Sequence, residues 1–115
     1  TPNCVSSDAK KDDARHYINP FQLDQTQTES WKAVRDSVLE LPRTQIITET
    51  TDYLHAECTS ALFGFVDDLE LHHRADEHII AVRSASRLGS SDLGVNRKRI
   101  ESLRNMLNKR GILNQ

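Results

Sequence analysis

Between Tyr53 and His72 the chain twice alternates apolar and polar side chains with a period of two. Leu54, Ala56 and Cys58 alternate with Tyr53, His55 and Glu57. Phe65, Asp67, Leu69 and Leu71 then alternate with Val66, Asp68, Glu70 and His72. Successive residues of a strand point to opposite faces, so each run offers one face to a core and one to water. Strands of this kind build a sheet that is covered on one side only.

Two flanking segments supply the cover. In Thr28 to Leu41, Trp31, Val34, Val38 and Leu41 recur at spacings of three, four and three, one stripe of a helix. Thr28 is the expected N-cap, Glu29 suits the first turn, and Pro42 ends the segment. In Asn96 to Arg110 the stripe is Ile100, Leu103 and Leu107, with Asn96 as the expected cap and Gly111 as the C′ residue. Two further strands are predicted, Arg43 to Thr50 and Ile79 to Arg87. The polar turns Thr50-Thr51-Asp52 and Arg74-Ala75-Asp76-Glu77 are short, which favours an antiparallel meander. The expected fold is α+β, a two-layer sandwich: an antiparallel four-stranded sheet with two helices packed on one face. Trp31, Val34, Val38, Leu69, Leu71, Val82, Ile100, Leu103 and Leu107 should share one core. Residues 1–27 lack periodicity and are expected to form an extended lead-in packed on a single domain of residues 28–115. Ile18 and Asn19-Pro20-Phe21 would anchor it.

A chain of 115 residues buries roughly two-thirds of its unfolded surface, enough for one core without metal or disulfide staples. It is 37% hydrophobic and 28% charged, an ordinary globular balance. With a net charge of −2 it has no global field favouring nucleic acid or a membrane surface. No apolar run approaches the roughly 20 residues of a membrane span. The chain starts at Thr1, so either a leader has been removed or it begins inside a longer protein; no signal peptide is visible.

The stretch from Arg83 to Arg99 concentrates the candidate chemistry. It holds five basic residues, four serines, two glycines and one carboxylate, between a predicted strand and a predicted helix. Such a junction can present hydroxyls, backbone N–H groups and guanidinium groups to a small anion. It can equally satisfy itself through ion pairs and caps, with Asp92 as an internal ligand. It lacks the Gly-Lys-Ser/Thr ending of a P-loop, so nucleotide hydrolysis is unsupported.

Three motifs carry a family resemblance: Pro-Asn-Cys-Val-Ser-Ser at 2–7, Phe-Val-Asp-Asp-Leu-Glu at 65–70, and Arg-Ser-Ala-Ser-Arg-Leu-Gly-Ser-Ser-Asp-Leu-Gly-Val-Asn-Arg-Lys-Arg-Ile-Glu at 83–101. In order and spacing the chain resembles the family catalogued as domain of unknown function 1499 over nearly its whole length. The motif positions are Asn3, Cys4, Ser6, Ser7, Asp67, Asp68, Glu70, Arg83, Ser84, Ser86, Arg87, Gly89, Asp92, Gly94, Asn96 and Arg97. The resemblance implies no particular reaction. It favours an extracytoplasmic setting, periplasmic or organellar, because such domains often follow a leader or membrane segment.

Several constellations follow from the residues. His55, Glu57, Asp68, Glu70, Arg83 and Arg87 are predicted on one polar sheet face, with Asp68 opposite Arg83 and Glu70 opposite Ala81. Either this is a solvated face with cross-strand ion pairs, each worth roughly 0.2–1 kcal/mol, or it is a shallow anion or acid/base site. Asp67 falls on the core face, where a lone carboxylate is too costly, so it should be buried and accept from Ser84, Ser86, backbone N–H groups or an arginine. Arg83 should be buried with it. His72, His73, Asp76, Glu77 and His78 crowd one hairpin tip, without a visible second set of groups to orient a metal, and no metal or cofactor is expected. Ser84 and Ser86 lack a nucleophile elbow. Arg97, Lys98, Arg99 and Arg104 read as a solvated helix face and not as a nucleic-acid patch, since aromatics are not interleaved with them.

The leading functional expectation is a non-catalytic binding or accessory domain. It would hold a small anionic or polar ligand, or a protein partner, through Arg83, Ser84, Ser86, Arg87, Asp92, Asn96 and Arg97, with Asp68, Glu70 and His55. The alternatives are a small hydrolase or isomerase using Asp68, Glu70 and His55 as acid/base groups, and a purely structural interaction module. Cys4 and Cys58 are expected as free thiols, Cys58 on the core face and Cys4 helping to pin the lead-in near residues 83–97.

Overall fold

A computed structural model describes residues 3–24, 30–88 and 94–114. The elements run β1 (Cys4–Ser6), β2 (Phe21–Gln22), α1 (Ser30–Val38), β3 (Thr44–Glu49), β4 (Tyr53–Thr59), β5 (Val66–Arg74), β6 (Ile79–Ser86) and α2 (Val95–Lys109). The sheet order is β1-β6-β5-β4-β3, every strand pair is antiparallel, and β2 also pairs with β6. The α+β class and open antiparallel sheet follow the alternation. The sheet has six strands instead of the expected four. The two additional strands come from the lead-in, and their three and two residues are too short to display a period.

The alternation is realised on both central strands. Leu54, Ala56 and Cys58 of β4, and Leu69 and Leu71 of β5, are buried. They join Ile80 and Val82 of β6 in one core with Val34 and Val38 of α1 and Ile100, Leu103 and Leu107 of α2. Both helices therefore lie on the same face of the sheet. Trp31 packs against this core from a partly buried position and stacks on His73 at 5.7 Å between ring centroids. Its indole N–H is buried with no acceptor among the described residues.

The ends of the helices differ from expectation in two places. Thr28 and Glu29 lie outside the described residues. Helix α1 stops at Val38, four residues before Pro42, and a turn carries Leu41 into the core. At α2, Gly94 takes the N-cap position with φ +81°, and Asn96 lies inside the helix, fully buried. The C-terminus follows expectation. Gly111, at φ +72°, donates to Asn108, and Ile112 donates to Leu107. This double bond pattern is a Schellman closure, with the buried Leu107 and Ile112 as its apolar pair.

The β5–β6 register is displaced by two residues from the predicted one: Glu70 faces Arg83, and Asp68 faces Ala85. The cause is the turn, where Ala75–Glu77 form a 3-10 turn and His78 adopts φ +56°, so that Arg74 and Ile79 close the ladder. A shift of two leaves every side chain on its predicted face. On the far edge, β3 carries a bulge between Ile46 and Thr48 that turns Ile47 outward.

The lead-in is stitched along β6. Cys4, Val5 and Ser6 pair with Ala85, Ser84 and Arg83, and Phe21 and Gln22 pair with Ile80 and Ile79. Between them, the Ser7 backbone donates to the Val82 carbonyl while its hydroxyl accepts from the Val82 N–H. Phe21 is fully buried, under the Arg104 guanidinium at 5.1 Å. Phe21→Ala should therefore destabilise by roughly 3–5 kcal/mol, as for a central core residue. A urea midpoint close to that of the parent would show that the two-residue strand is not an integral part of the core.

Candidate functional site

The residues singled out in the sequence divide between the two faces of the sheet. Ser84 and Ser86 of β6 and Asn96 of α2 lie on the helix side; His55, Asp68, Glu70, Arg83 and Arg87 lie on the open side. They therefore cannot line one cavity. Asp92 lies outside the described residues.

On the helix side the polar groups satisfy one another. The Ser84 hydroxyl donates to Asn96 Oδ1 at 2.7 Å, and Asn96 Nδ2 donates to the Asn3 carbonyl and to Ser86 Oγ, both at 2.9 Å. Arg99 donates to Asn96 Oδ1 and Ser84 Oγ and pairs with Asp67 at 2.9 Å. Asp67 is buried, as expected, and its cationic partner is Arg99. The network joins β1, β5, β6 and α2 at one point. Arg97 is spent on the carbonyls of Ala14, Arg15 and Tyr17, and Arg104 on those of Asn19 and Pro20. The basic side of α2 thus holds down the lead-in.

Arg83 is not buried; its side chain is 47% exposed. The expected burial of Arg83 fails because its strand position puts it on the open face of the sheet. Asp67 lies opposite Ser86, and Arg83 opposite Glu70. Asp67 is on the core face and Arg83 on the open one.

The open face carries a ladder of ion pairs. Arg87 grips Asp68 through Nε and Nη2 at 2.9 and 2.8 Å and reaches Glu57 at 2.7 Å. His55 Nε2 lies 2.7 Å from Asp68. One row along, Arg83 donates to Glu70 at 2.8 Å and the Tyr53 hydroxyl donates to the other Glu70 oxygen at 2.6 Å. The Arg87 guanidinium, aided by His55, holds the Asp68 carboxyl down at about 2. Tyr53 and Arg83 lower Glu70. Burial and the Glu70 carboxylate push Tyr53 up to about 12.

Beside this ladder is a concavity of about 250 Å³ lined by Ser6, Asp8, Tyr53, Glu70, Leu71, His72, Arg74, Ala81, Val82 and Arg83. Its floor includes one small residue. Ala81 faces His72 across the β5–β6 pair and leaves a gap between longer neighbours. One wall is the Asp8–Arg74 pair, with two bonds of 2.8 and 2.9 Å. The other is Arg83, which spends only Nη1 on Glu70 among the described residues. Tyr53, Arg74, Asp8 and Ala81 were not identified from the sequence as site residues. Only Tyr53 carried a usable signal, since it shares the polar phase of β4 with His55 and Glu57.

The histidine-rich tip does not assemble. His73 stacks on Trp31, His72 accepts from Arg74 Nε at 3.3 Å, and His78 is exposed at the turn. No group of three or more histidine, cysteine, aspartate or glutamate side chains among the described residues is arranged for a metal ion. Cys4 and Cys58 are both free. Three strand spacings of nearly 5 Å separate β1 from β4, far beyond disulfide reach. Cys58 is buried, accepts from Thr44 at 3.3 Å, and has its pKa raised by burial.

The family described as "Protein of unknown function (DUF1499)" matches residues 1–107. The chain belongs to this family. The match spans the lead-in, the sheet and most of α2, so the pairing of β1 and β2 with β6 lies inside it. No curated protein and no solved structure is significantly similar to the chain. No helix among the described residues is long and apolar enough to cross a membrane.

Two stability effects follow. Asp67→Ala leaves the Arg99 charge buried without its partner and should cost roughly 3–5 kcal/mol in urea unfolding; an unchanged midpoint would remove the pair from its bracing role. Asp68, Glu70 and Asp8 all have lowered pKa values, so their stabilisation is present above the ordinary carboxylate range and is lost as pH falls. For Asp68 the loss falls between the unperturbed 3.8 and about 2. Asp68→Asn should flatten that limb of the stability–pH curve by about 1 kcal/mol, after discounting for the half-exposed Arg87. Equal acid sensitivity in variant and parent would count against the pairing.

Proposed function

We propose that this is a non-catalytic binding domain, and that the concavity over Ala81 takes a small polar ligand bearing a carboxylate or similar oxyanion. The observation that carries the reading is Arg83. Its guanidinium is half exposed at the wall of the concavity, anchored through Nη1 alone, with its Nε and Nη2 donors unspent among the described residues. A guanidinium fixed on one side and open on the other is a preorganised fork for an oxyanion. Tyr53 supports it indirectly, by holding Glu70 in the orientation that holds Arg83. The volume of about 250 Å³ lies just under the roughly 300–1,000 Å³ of sites for drug-sized ligands, so the ligand is small.

The acid/base alternative is less well supported. A general acid or base works best with a pKa near the operating pH. Asp68 is held at about 2 and Glu70 is lowered, which suits permanent ion pairing and not proton transfer.

The test is an NMR titration of the labelled domain with a panel of small mono- and dicarboxylates and phosphate esters. Shift changes are expected at Tyr53, Glu70, His72 and Arg83 for at least one member. Arg83→Met should weaken that binding tenfold or more, as expected for a charged hydrogen bond of roughly 1.5–3 kcal/mol. Ala81→Leu, which fills the floor, should abolish it. Binding that maps elsewhere, or survives both substitutions, would overturn the proposal.

A further inference from the structure

The end of the sheet where β4 turns into β5 carries an apolar projection that the polar concavity does not use. The connection Ser60–Phe65 exposes Leu62, Phe63 and Phe65, with Leu62 80% and Phe63 70% accessible. The Phe63 and Phe65 rings stack at 5.5 Å, and Gly64 at φ +68° makes the tip turn. Large side chains at a loop tip gain nothing from water, and a solvated connection is ordinarily polar. Here residues 59–66 contain no charged side chain at all. Leu88 and Val95 are also exposed, and the Arg87 N–H on Val66 O ties the end of β6 to the base of this tip.

On the helix side the surroundings of the tip are cationic. A cleft of about 350 Å³ opens at its root, where Ala61 and Val95 sit beside Arg43, Lys98 and Arg99. Arg43 is fastened to the tip's own base through Nε to the Thr59 carbonyl, and no carboxylate pairs with it among the described residues. Lys98 is exposed and has no ion pair among them. Among the residues lining the cleft Asp67 is the one acid, and Arg99 neutralises it. An uncharged aromatic tip backed by unneutralised cations has the layout of an interfacial anchor: the rings enter the acyl boundary and the cations meet anionic headgroups.

We propose that this end of the domain docks on an anionic bilayer surface, with Leu62, Phe63 and Phe65 inserted and Arg43 and Lys98 against the headgroups. A second copy of the chain is a poorer occupant. Docking two such ends would bring Arg43 and Lys98 of each copy towards those of the other, and the tip offers no acid to offset them. A free anion in the cleft would leave the aromatic tip unexplained.

The experiment is co-sedimentation of the domain with vesicles of phosphatidylcholine alone and with vesicles containing phosphatidylglycerol. Binding is expected only to the anionic vesicles, and added salt should weaken it. Phe63→Glu should abolish it without shifting the thermal midpoint, because the residue is exposed. The double variant Arg43→Gln/Lys98→Gln should bind about thirtyfold more weakly, at roughly 1 kcal/mol per basic residue. Inorganic phosphate at the concentration of the lipid phosphate should not compete. The proposal is overturned by absence of vesicle binding, by wild-type binding of Phe63→Glu, by full competition from phosphate, or by a dimer in sedimentation velocity that Phe63→Glu dissociates.

Discussion

The buried contact among Asp67, Arg99, Asn96 and Ser84 is the constraint on which the remaining arrangement depends. An acid on the core face of β5 is tolerable only with a cation fixed beside it. Arg99 meets that demand only if α2 lies across the ends of β5 and β6 at one particular height. Asn96, one helical turn earlier, then points at Ser84, Ser86 and the carbonyl of Asn3. The apolar stripe of Ile100, Leu103 and Leu107 would allow the helix to slide or rotate at modest cost. The polar contact does not, because each displaced group loses a directional bond in a dry environment.

The sheet separates two kinds of polar chemistry. Below it, Asp67, Ser84, Ser86, Asn96 and Arg99 bond to one another and act as fasteners. Above it, the same residue types form a ladder of half-exposed pairs in which Arg83 keeps donors to spare. The partition is produced by strand geometry alone, since Arg83 and Ser84 are chain neighbours yet face opposite sides. The proposed ligand contacts lie with the odd-numbered members of β6 and the packing contacts with the even-numbered ones.

The same alternation explains what was legible in the sequence. The burial of β4 and β5 followed from period two, and the helical stripes from period 3.6, because each pattern repeats often enough to be seen. β1 and β2 were not legible, since two or three residues cannot establish a period and their pairing depends on a distant strand. The β5–β6 register is not legible, because the 3-10 turn and left-handed His78 carry no glycine or Asn-Gly signal. Asn96 looked like a cap, and the preceding Gly94 had already taken that geometry. The same alternation divides Arg83 from Ser84 and Ser86, so the stretch from Arg83 onward falls on both sides of the sheet. The concavity draws its lining from β4, β5, β6 and the lead-in together, a convergence that no local pattern displays.

The lead-in strands have a consequence for association between molecules. By lying along β6 they occupy one margin of the sheet, with the Ser7 hydroxyl standing in where a strand carbonyl is absent. The opposite margin is β3, and there the extra residue Ile47 breaks the spacing of backbone donors and acceptors. A foreign strand would find a discontinuous template on that side. Loss of the first two dozen residues would uncover the backbone edge of β6 and at the same time take Val5, Ile18, Phe21 and Leu23 out of the core, so protection of that edge and stability of the domain are tied to the same segment.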